Sequence, residues 1–460
     1  MNRKLNRHRE IVRKRIIATV VALLILTVVL GLVIFGAAKL FKKFMPENPD
    51  AGLAVASEEE TEAVSSESTE VLEIGPVSQV EEEVSEPDPG LSSEELAEQY
   101  ANAVQKEIPG GSALDVEDYL SGMTLEDKVC QLFFITPEQL TGFATVTAAG
   151  QTTAQALDEH PVGGLVYFSQ NLVDPVQTEE MLENTQNYAL SLNGIPLFLA
   201  VDEEGGEVTR IAENSAFAVE HIPSMRDIGA TNDPSNGFKA GEIVGHYLKD
   251  LGFNLDFGPV ADVAKEGGSA IGTRSFGTDP ELVSRFALQY YSGLKSAGVM
   301  GCLKHYPGFG RAEENTDFKE VFLDAGMEEL KAKDLIPFRN GVEEGVSFIM
   351  VGNMAFPNAV GDNTPASLST TMIKKNLREG LSYNGIVITD ALNAVAIASH
   401  YKSGEAAVQA IKAGADFLLM PEDFNAAYET LLSAVKSGDI PEARLDESMR
   451  RILKIKLALD

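Results

Sequence analysis

Eight short apolar runs alternating with helical patterns predict an α/β chain folded as a (β/α)8 barrel of the TIM type, preceded by one transmembrane helix and a disordered acidic linker. Three observations carry that expectation. The runs at 131–135, 164–168, 196–201, 254–258, 300–304, 348–351, 385–389 and 417–420 are nearly continuous in apolar character and rich in Val, Ile, Leu and Phe. Parallel strands covered on both faces read this way. The stretches between them, such as 279–296 and 402–413, repeat apolar residues at helical spacing. Ahead of all of them, 16–38 is an unbroken uncharged, mostly apolar run. At about 1.5 Å rise per residue it crosses a hydrocarbon core of roughly 30 Å.

The elements follow in chain order. Residues 1–15 form a basic tail with Arg3, Lys4, Arg7, Arg9, Arg13, Lys14 and Arg15, and only Lys39, Lys42 and Lys43 follow the apolar run closely. The heavier basic flank stays in the cytoplasm, which places the rest of the chain outside a single-pass cell-membrane anchor. A cleaved signal peptide is the competing reading, but its apolar region is normally about 7–15 residues long. Residues 39–100 read as the linker. No Lys or Arg lies between Lys43 and Lys106, and Glu, Ser, Val and Pro dominate. Such a segment buries too little apolar surface to offset its chain entropy. The barrel occupies 101–460. An open doubly wound sheet is its rival, yet no Gly-rich dinucleotide or phosphate loop follows any run.

The chain carries a net charge of −32, and the barrel by itself, beyond the linker, stays strongly acidic, which argues against nucleic acid or anionic lipid as its partner. Cys130 and Cys302, each assigned to a strand, read as two buried thiols rather than a disulfide. The six histidines are scattered and no zinc-type cluster exists, so no metal is expected.

A barrel places its reacting side chains just past the C-terminal ends of the strands. The unusual polar residues stand there. The third run ends in Asp202-Glu203-Glu204-Gly205-Gly206, the fifth in Lys304-His305-Tyr306-Pro307-Gly308-Phe309-Gly310, the sixth meets Asn353, and the seventh ends in Asp390. Arg274-Ser275-Phe276-Gly277 follows the fourth. A partly desolvated carboxylate such as Asp390 suits a nucleophile toward a sugar carbon, and equally suits a helix N-cap. Strand alternation aims one of Lys304 and His305 inward and the other sideways, and a salt bridge with a core hydrogen bond explains that pair as well. Asp202, Arg210 and Arg274 supply charge-assisted hydrogen bonds of the kind sugar hydroxyls need.

The order and spacing of these segments resemble the N-terminal barrel of glycoside hydrolase family 3, especially its single-domain β-N-acetylhexosaminidase branch. The resemblance rests on Met123-Thr124-Leu125-Glu126-Asp127-Lys128, Val162-Gly163-Gly164, Val201-Asp202-Glu203-Glu204-Gly205-Gly206 and Asn254-Leu255-Asp256-Phe257-Gly258-Pro259-Val260-Ala261-Asp262-Val263. It continues through the segments at Arg274 and Lys304, then Pro365-Ala366-Ser367-Leu368-Ser369, Ile388-Thr389-Asp390, Ala413-Gly414-Ala415-Asp416 and Arg444-Leu445-Asp446-Glu447-Ser448. It implies that Asp390 is the nucleophile of a retaining hydrolase. Asp202, Arg210, Arg274, Lys304 and His305 would hold a terminal β-linked N-acetylglucosamine, from peptidoglycan or a related glycan. No metal or organic cofactor is implied.

The chain departs from the family pattern on one loop. The family carries an Asp-x-His pair there as its acid/base, whereas 311–319 reads Arg-Ala-Glu-Glu-Asn-Thr-Asp-Phe-Lys, without histidine. Glu207, Phe309, Asn353 and Ala391 replace a usual Arg, His, His and Asp. Three expectations follow. Glu313, Glu314 or Asp317 replaces the histidine; or the enzyme is restricted to good leaving groups; or the barrel binds glycan without turnover. The loop also fits a solvated acidic turn.

Overall fold

The computed structural model describes residues 116–459. The expected basic tail, membrane helix and acidic linker lie outside the described residues. Among the described residues no helix is long and apolar enough to cross a membrane.

The eight expected strands all form, and each is shorter than or close to its apolar run. They are β1 (Phe133–Ile135), β2 (Gly164–Tyr167), β3 (Phe198–Val201), β4 (Leu255–Asp256), β5 (Met300–Tyr306), β6 (Phe348–Val351), β7 (Ile386–Thr389) and β8 (Leu418–Leu419). Neighbours in sequence pair in parallel from β1 to β7, and β8 returns to pair with β1. A parallel bridge between Ile388 and Phe417 brings β7 to the start of β8. The result is a nearly closed eight-stranded parallel α/β barrel, consistent with the TIM type. Continuous burial explains the unbroken apolar runs, since every residue of β1, β2, β3, β6 and β7 is buried.

Phenylalanines fill the interior. Phe198 on β3 meets Phe348 on β6 at 5.2 Å between ring centroids, which spans the barrel. Phe134 contacts Phe257 at 5.3 Å and Phe417 at 5.6 Å. Each such pair adds roughly 0.5–1.5 kcal/mol beyond area burial. The barrel is therefore packed below its rim, and a ligand has room only at one end.

The helices start where their sequences signal. Asp279 caps Pro280–Ser296 by accepting from the Leu282 N–H at 2.7 Å, with Pro280 in the first turn. That helix packs directly on Ser235–Leu251. A Cβ at Gly293 would lie 2.2 Å from the Phe238 carbonyl oxygen, so the two backbones touch only because this residue is glycine. The expected helix at 402–413 forms as Ser403–Ala413. Cys130 corrects the expectation that both thiols lie in strands. It ends the helix Leu125–Cys130, because the capping box at Thr124 and Asp127 starts a helical turn immediately before β1. Cys302 does lie in β5, and both thiols are free and buried.

Candidate active site

A cavity of about 510 Å³ opens at the C-terminal ends of the strands. Strand ends and the loops after them supply its walls: Val166 in β2 and Phe168 after it, Asp202, Glu204 and Arg210 after β3, Phe257 and Arg274 after β4, Lys304, His305 and Phe309 from β5 onward. Met350 on β6, Asp390 and Asn393 after β7, and Leu419 and Met420 at β8 also line it.

One wall is a chain of ion pairs. The Lys304 ammonium lies 2.7 Å from Asp202 Oδ1 and 2.6 Å from Glu204 Oε1. Arg274 donates to Glu204 in a two-pronged pair, Nε to Oε2 and Nη2 to Oε1, both at 2.7 Å. Burial alone would push the Glu204 carboxyl up, but Lys304 and Arg274 outweigh it and hold the group well below the usual carboxylate range. Burial would likewise pull Lys304 down, and Asp202 and Glu204 instead raise it above the usual lysine range. Glu204, Lys304 and Arg274 stay charged at the edge of a cavity, so the wall is ready to meet polar ligand atoms without rearrangement.

His305 is fixed by Asp262. Its Nδ1 lies 2.7 Å from Asp262 Oδ2, and the backbone N–H groups of His305 and Phe309 donate to Asp262 Oδ1 at 3.2 and 2.6 Å. The buried carboxylate orients the ring through Nδ1 and leaves Nε2 for the cavity. The Phe309 ring packs against His305 at 5.8 Å. Gly310 lets this segment approach β4's loop, since a Cβ there would lie 2.1 Å from the Val263 carbonyl oxygen. Simple alternation, which aims only one of Lys304 and His305 inward, fails here. The β5–β6 ladder shifts register between Leu303 and Tyr306, and both side chains line the cavity.

Asp390 follows β7 directly. Its N–H donates to the Val351 carbonyl at 2.8 Å, and its Oδ1 accepts from the Ala391 N–H at 2.8 Å. It caps no helix, because the next one, Val395–Ala398, is preceded by Ala394. Burial raises the Asp390 carboxyl above its ordinary value. The neighbouring His305 draws it back, and the charge of Asp317 pushes it up again. Asn353 donates to the Ala391 carbonyl at 2.8 Å and accepts from Ser367 at 2.6 Å, which steadies the turn after Asp390.

The histidine-free loop divides its three carboxylates. Asn315, Thr316 and Asp317 line the cavity. Glu313 turns to Lys265 at 2.5 Å and Glu314 to Lys319 at 2.5 Å, both away from the lining. Asn315 brackets Asp317, accepting from its N–H at 3.0 Å and donating to its Oδ2 at 3.1 Å. The Val395 and Ala396 N–H groups donate to the Asp317 and Thr316 carbonyls at 3.3 and 3.1 Å, which docks the loop on the segment after β7.

The structure thus gathers Asp202, Arg210, Arg274, Lys304, His305, Asp317 and Asp390 around one cavity. Two carboxylates that support it had no assigned part in the sequence reading. Glu204 was legible, because it lies two residues from Asp202 and alternation puts both on one face. Asp262 carries no local signal, since its partner lies 43 residues away. Among the described residues no group of His, Cys, Asp or Glu is arranged to hold a metal ion.

The family model that matches this chain is "Glycosyl hydrolase family 3 N terminal domain", over residues 124–455. Beta-hexosaminidase A of Pseudoalteromonas piscicida is 28% identical over 342 residues, covering 69% of this chain and 56% of that protein. Beta-hexosaminidase LpqI of Mycobacterium tuberculosis is 33% identical over 271 residues, 57% of this chain and 68% of that protein. Among solved structures, the glycoside hydrolase family 3 beta-N-acetylglucosaminidase of Paenibacillus sp. superposes with a TM-score of 0.69 at 35% identity, covering 74% of this chain and 63% of that one. The chain therefore spans less than two thirds of the Pseudoalteromonas and Paenibacillus proteins.

Proposed function

This chain belongs to glycosyl hydrolase family 3, and from that premise we propose that it hydrolyses terminal β-linked N-acetylglucosamine from a glycan by a retaining double displacement. The observation that carries this reading is that Asp390 and Asp317 line the same cavity as the Asp202–Lys304–Glu204–Arg274 wall. Asp390 attacks the anomeric carbon and forms the covalent intermediate. Asp317 gives a proton to the departing oxygen, then takes one from the water that releases the sugar. A retaining pair works with its carboxyls roughly 5–5.5 Å apart. Asp202, Arg210, Arg274, Lys304 and His305 grip the sugar hydroxyls. The beta-hexosaminidase names of the relatives support a hexosaminide substrate, and the Paenibacillus beta-N-acetylglucosaminidase supports the choice of sugar.

The anchor reading of 16–38 and the tether reading of 39–100 extend the proposal. They place the barrel outside the cell membrane, within reach of peptidoglycan. Deleting 16–38 then moves the protein from the membrane to the soluble fraction, and retention in the membrane would sink that part.

Turnover of an aryl β-N-acetylglucosaminide by the full-length protein and its Asp390→Asn variant tests the chemistry. Cleavage by wild type alone supports the hydrolase. The missing loop histidine favours a second reading, a glycan-binding barrel without turnover. Wild type as silent as Asp390→Asn, yet retaining affinity for wall fragments, would establish that one instead.

A further inference from the structure

The segment after β3 carries four cavity residues, Asp202, Glu204, Val208 and Arg210, without forming a helix until Met225. Asp202 and Glu204 point into the cavity, while Glu203 between them is fully buried elsewhere. Its carboxylate accepts four hydrogen bonds. The Arg210 and Ile211 N–H groups donate to Oε2 at 2.6 and 3.0 Å. The Ala212 N–H and the Tyr247 hydroxyl donate to Oε1 at 3.0 and 2.9 Å. Three consecutive backbone N–H groups wrapped on one anion form a nest, and a buried carboxylate so satisfied fixes the backbone around it.

Glu203 is itself held at both backbone ends. Its N–H donates to Asp256 Oδ1 at 3.0 Å, and its carbonyl accepts from the Tyr290 hydroxyl at 3.1 Å. The anchor is therefore referred to β4 and to the helix Pro280–Ser296, not to the loop alone.

The two cavity arginines after β3 and β4 are secured differently. Arg274 is locked through its side chain by Glu204. The Arg210 guanidinium lies over the Phe168 ring at 5.7 Å, and its buried Nε has no hydrogen-bond partner among the described residues. Among the described residues the polar group that fixes Arg210 acts on its backbone, and it is the Glu203 carboxylate.

We propose that Glu203 is a positioning residue for Arg210. Its carboxylate fixes the 210–212 backbone and so aims the Arg210 guanidinium at the oxygen atoms of a bound sugar. This inference rests on the glycan reading of the cavity. The Arg274 arm is set by a side-chain ion pair, whereas the Arg210 arm is set through the backbone and completed by the ligand.

The test is a double-mutant cycle on the full-length protein with an aryl β-N-acetylglucosaminide, using Glu203→Gln, Arg210→Ala and the pair together. Glu203→Gln places an amide NH2 either against the Arg210 and Ile211 N–H donors or against the Ala212 N–H and the Tyr247 hydroxyl. It is expected to raise KM about tenfold while kcat stays within about threefold, as loss of uniform binding does. In the Arg210→Ala background the same change should add no more than about twofold. Hydrogen exchange of the Arg210, Ile211 and Ala212 amides should quicken in Glu203→Gln, with amides near Arg274 unchanged. Additive effects on KM, or unchanged exchange at 210–212, overturn the proposal. If Glu203→Gln does not fold, Tyr247→Phe removes one of the four bonds. It should raise KM less and lose its effect beside Arg210→Ala, and an additive result sinks the proposal equally. Wild type that neither cleaves the glycoside nor binds N-acetylglucosamine would sink the glycan reading and this inference with it, whereas an active wild type with an additive cycle sinks the positioning role alone.

Discussion

Two buried charge clusters sit at opposite ends of the strands, and they are finished to different degrees. At the N-terminal end, Asp416 precedes β8 and is surrounded by Arg378, Arg444 and Arg451. It also accepts from the Val387 N–H at 2.9 Å and the Ser448 hydroxyl at 2.7 Å. Burial would raise this carboxyl, but the three arginines outweigh it and lower it. At the C-terminal end, Lys304, Glu204, Arg274 and Asp202 also form ion pairs, but these line a cavity. There, among the described residues, the Arg210 Nε has no hydrogen-bond partner, and the Asp390 carboxyl accepts one hydrogen bond, from its own neighbour Ala391. Equal chemistry serves two ends. A saturated cluster holds secondary structure together, while a cluster with spare hydrogen-bonding capacity awaits a ligand.

The contrast breaks or sharpens under substitution. The largest effect belongs to Asp390→Asn, which should cut turnover of an aryl β-N-acetylglucosaminide by at least about 10³-fold. Its melting temperature at neutral pH should not fall. The folded pKa of Asp390 is raised above the unfolded value, so the ionised carboxylate at neutral pH costs stability that asparagine restores. A variant that melts lower yet still turns over would make Asp390 another structural carboxylate. Asp317→Asn comes next, with a loss of about 10²–10⁴-fold on alkyl or sugar leaving groups and only a few-fold on a nitrophenyl one. Equal losses on both leaving groups would take the proton-donor role away from Asp317.

At the closed end, Asp416→Ala leaves three arginines without their common partner and should cost about 3–5 kcal/mol in denaturant unfolding. Activity per folded molecule should hold. Lost activity in a fully folded variant would erase the division of labour between the two ends. The smallest effect concerns Lys456, which is buried, donates to Gln131 at 2.9 Å and lies 5.3 Å from the Phe198 ring. Burial brings its pKa down to about 7. Above that pH the folded state has lost a proton that the unfolded chain keeps to about 10.4. Wild-type stability should therefore gain a contribution that rises with pH across that window, and Lys456→Met should remove it. Identical pH profiles of unfolding would show that Lys456 stays charged in the fold.

The sequence by itself determined the strand order and the side of the barrel that carries chemistry. Continuous apolar runs follow from burial on both faces, and they mark β1 to β8 without reference to distant residues. The positions of Asp202, Lys304, His305 and Asp390 at run ends were equally local, because a strand's end is written in its own composition. What each carboxylate does was not local. Glu313, Glu314 and Asp317 share one acidic loop, and only the tertiary structure separated them, by offering Lys265 and Lys319 to the first two and the cavity to the third. Lys304 and His305 face the cavity together because the β5–β6 register slips, which no alternation within β5 reveals. Asp262 and Glu203 became supports through partners brought in from other segments. Hydrophobic patterning is a property of neighbours along the chain, whereas charge pairing is a property of neighbours in space, and this site is built from the second.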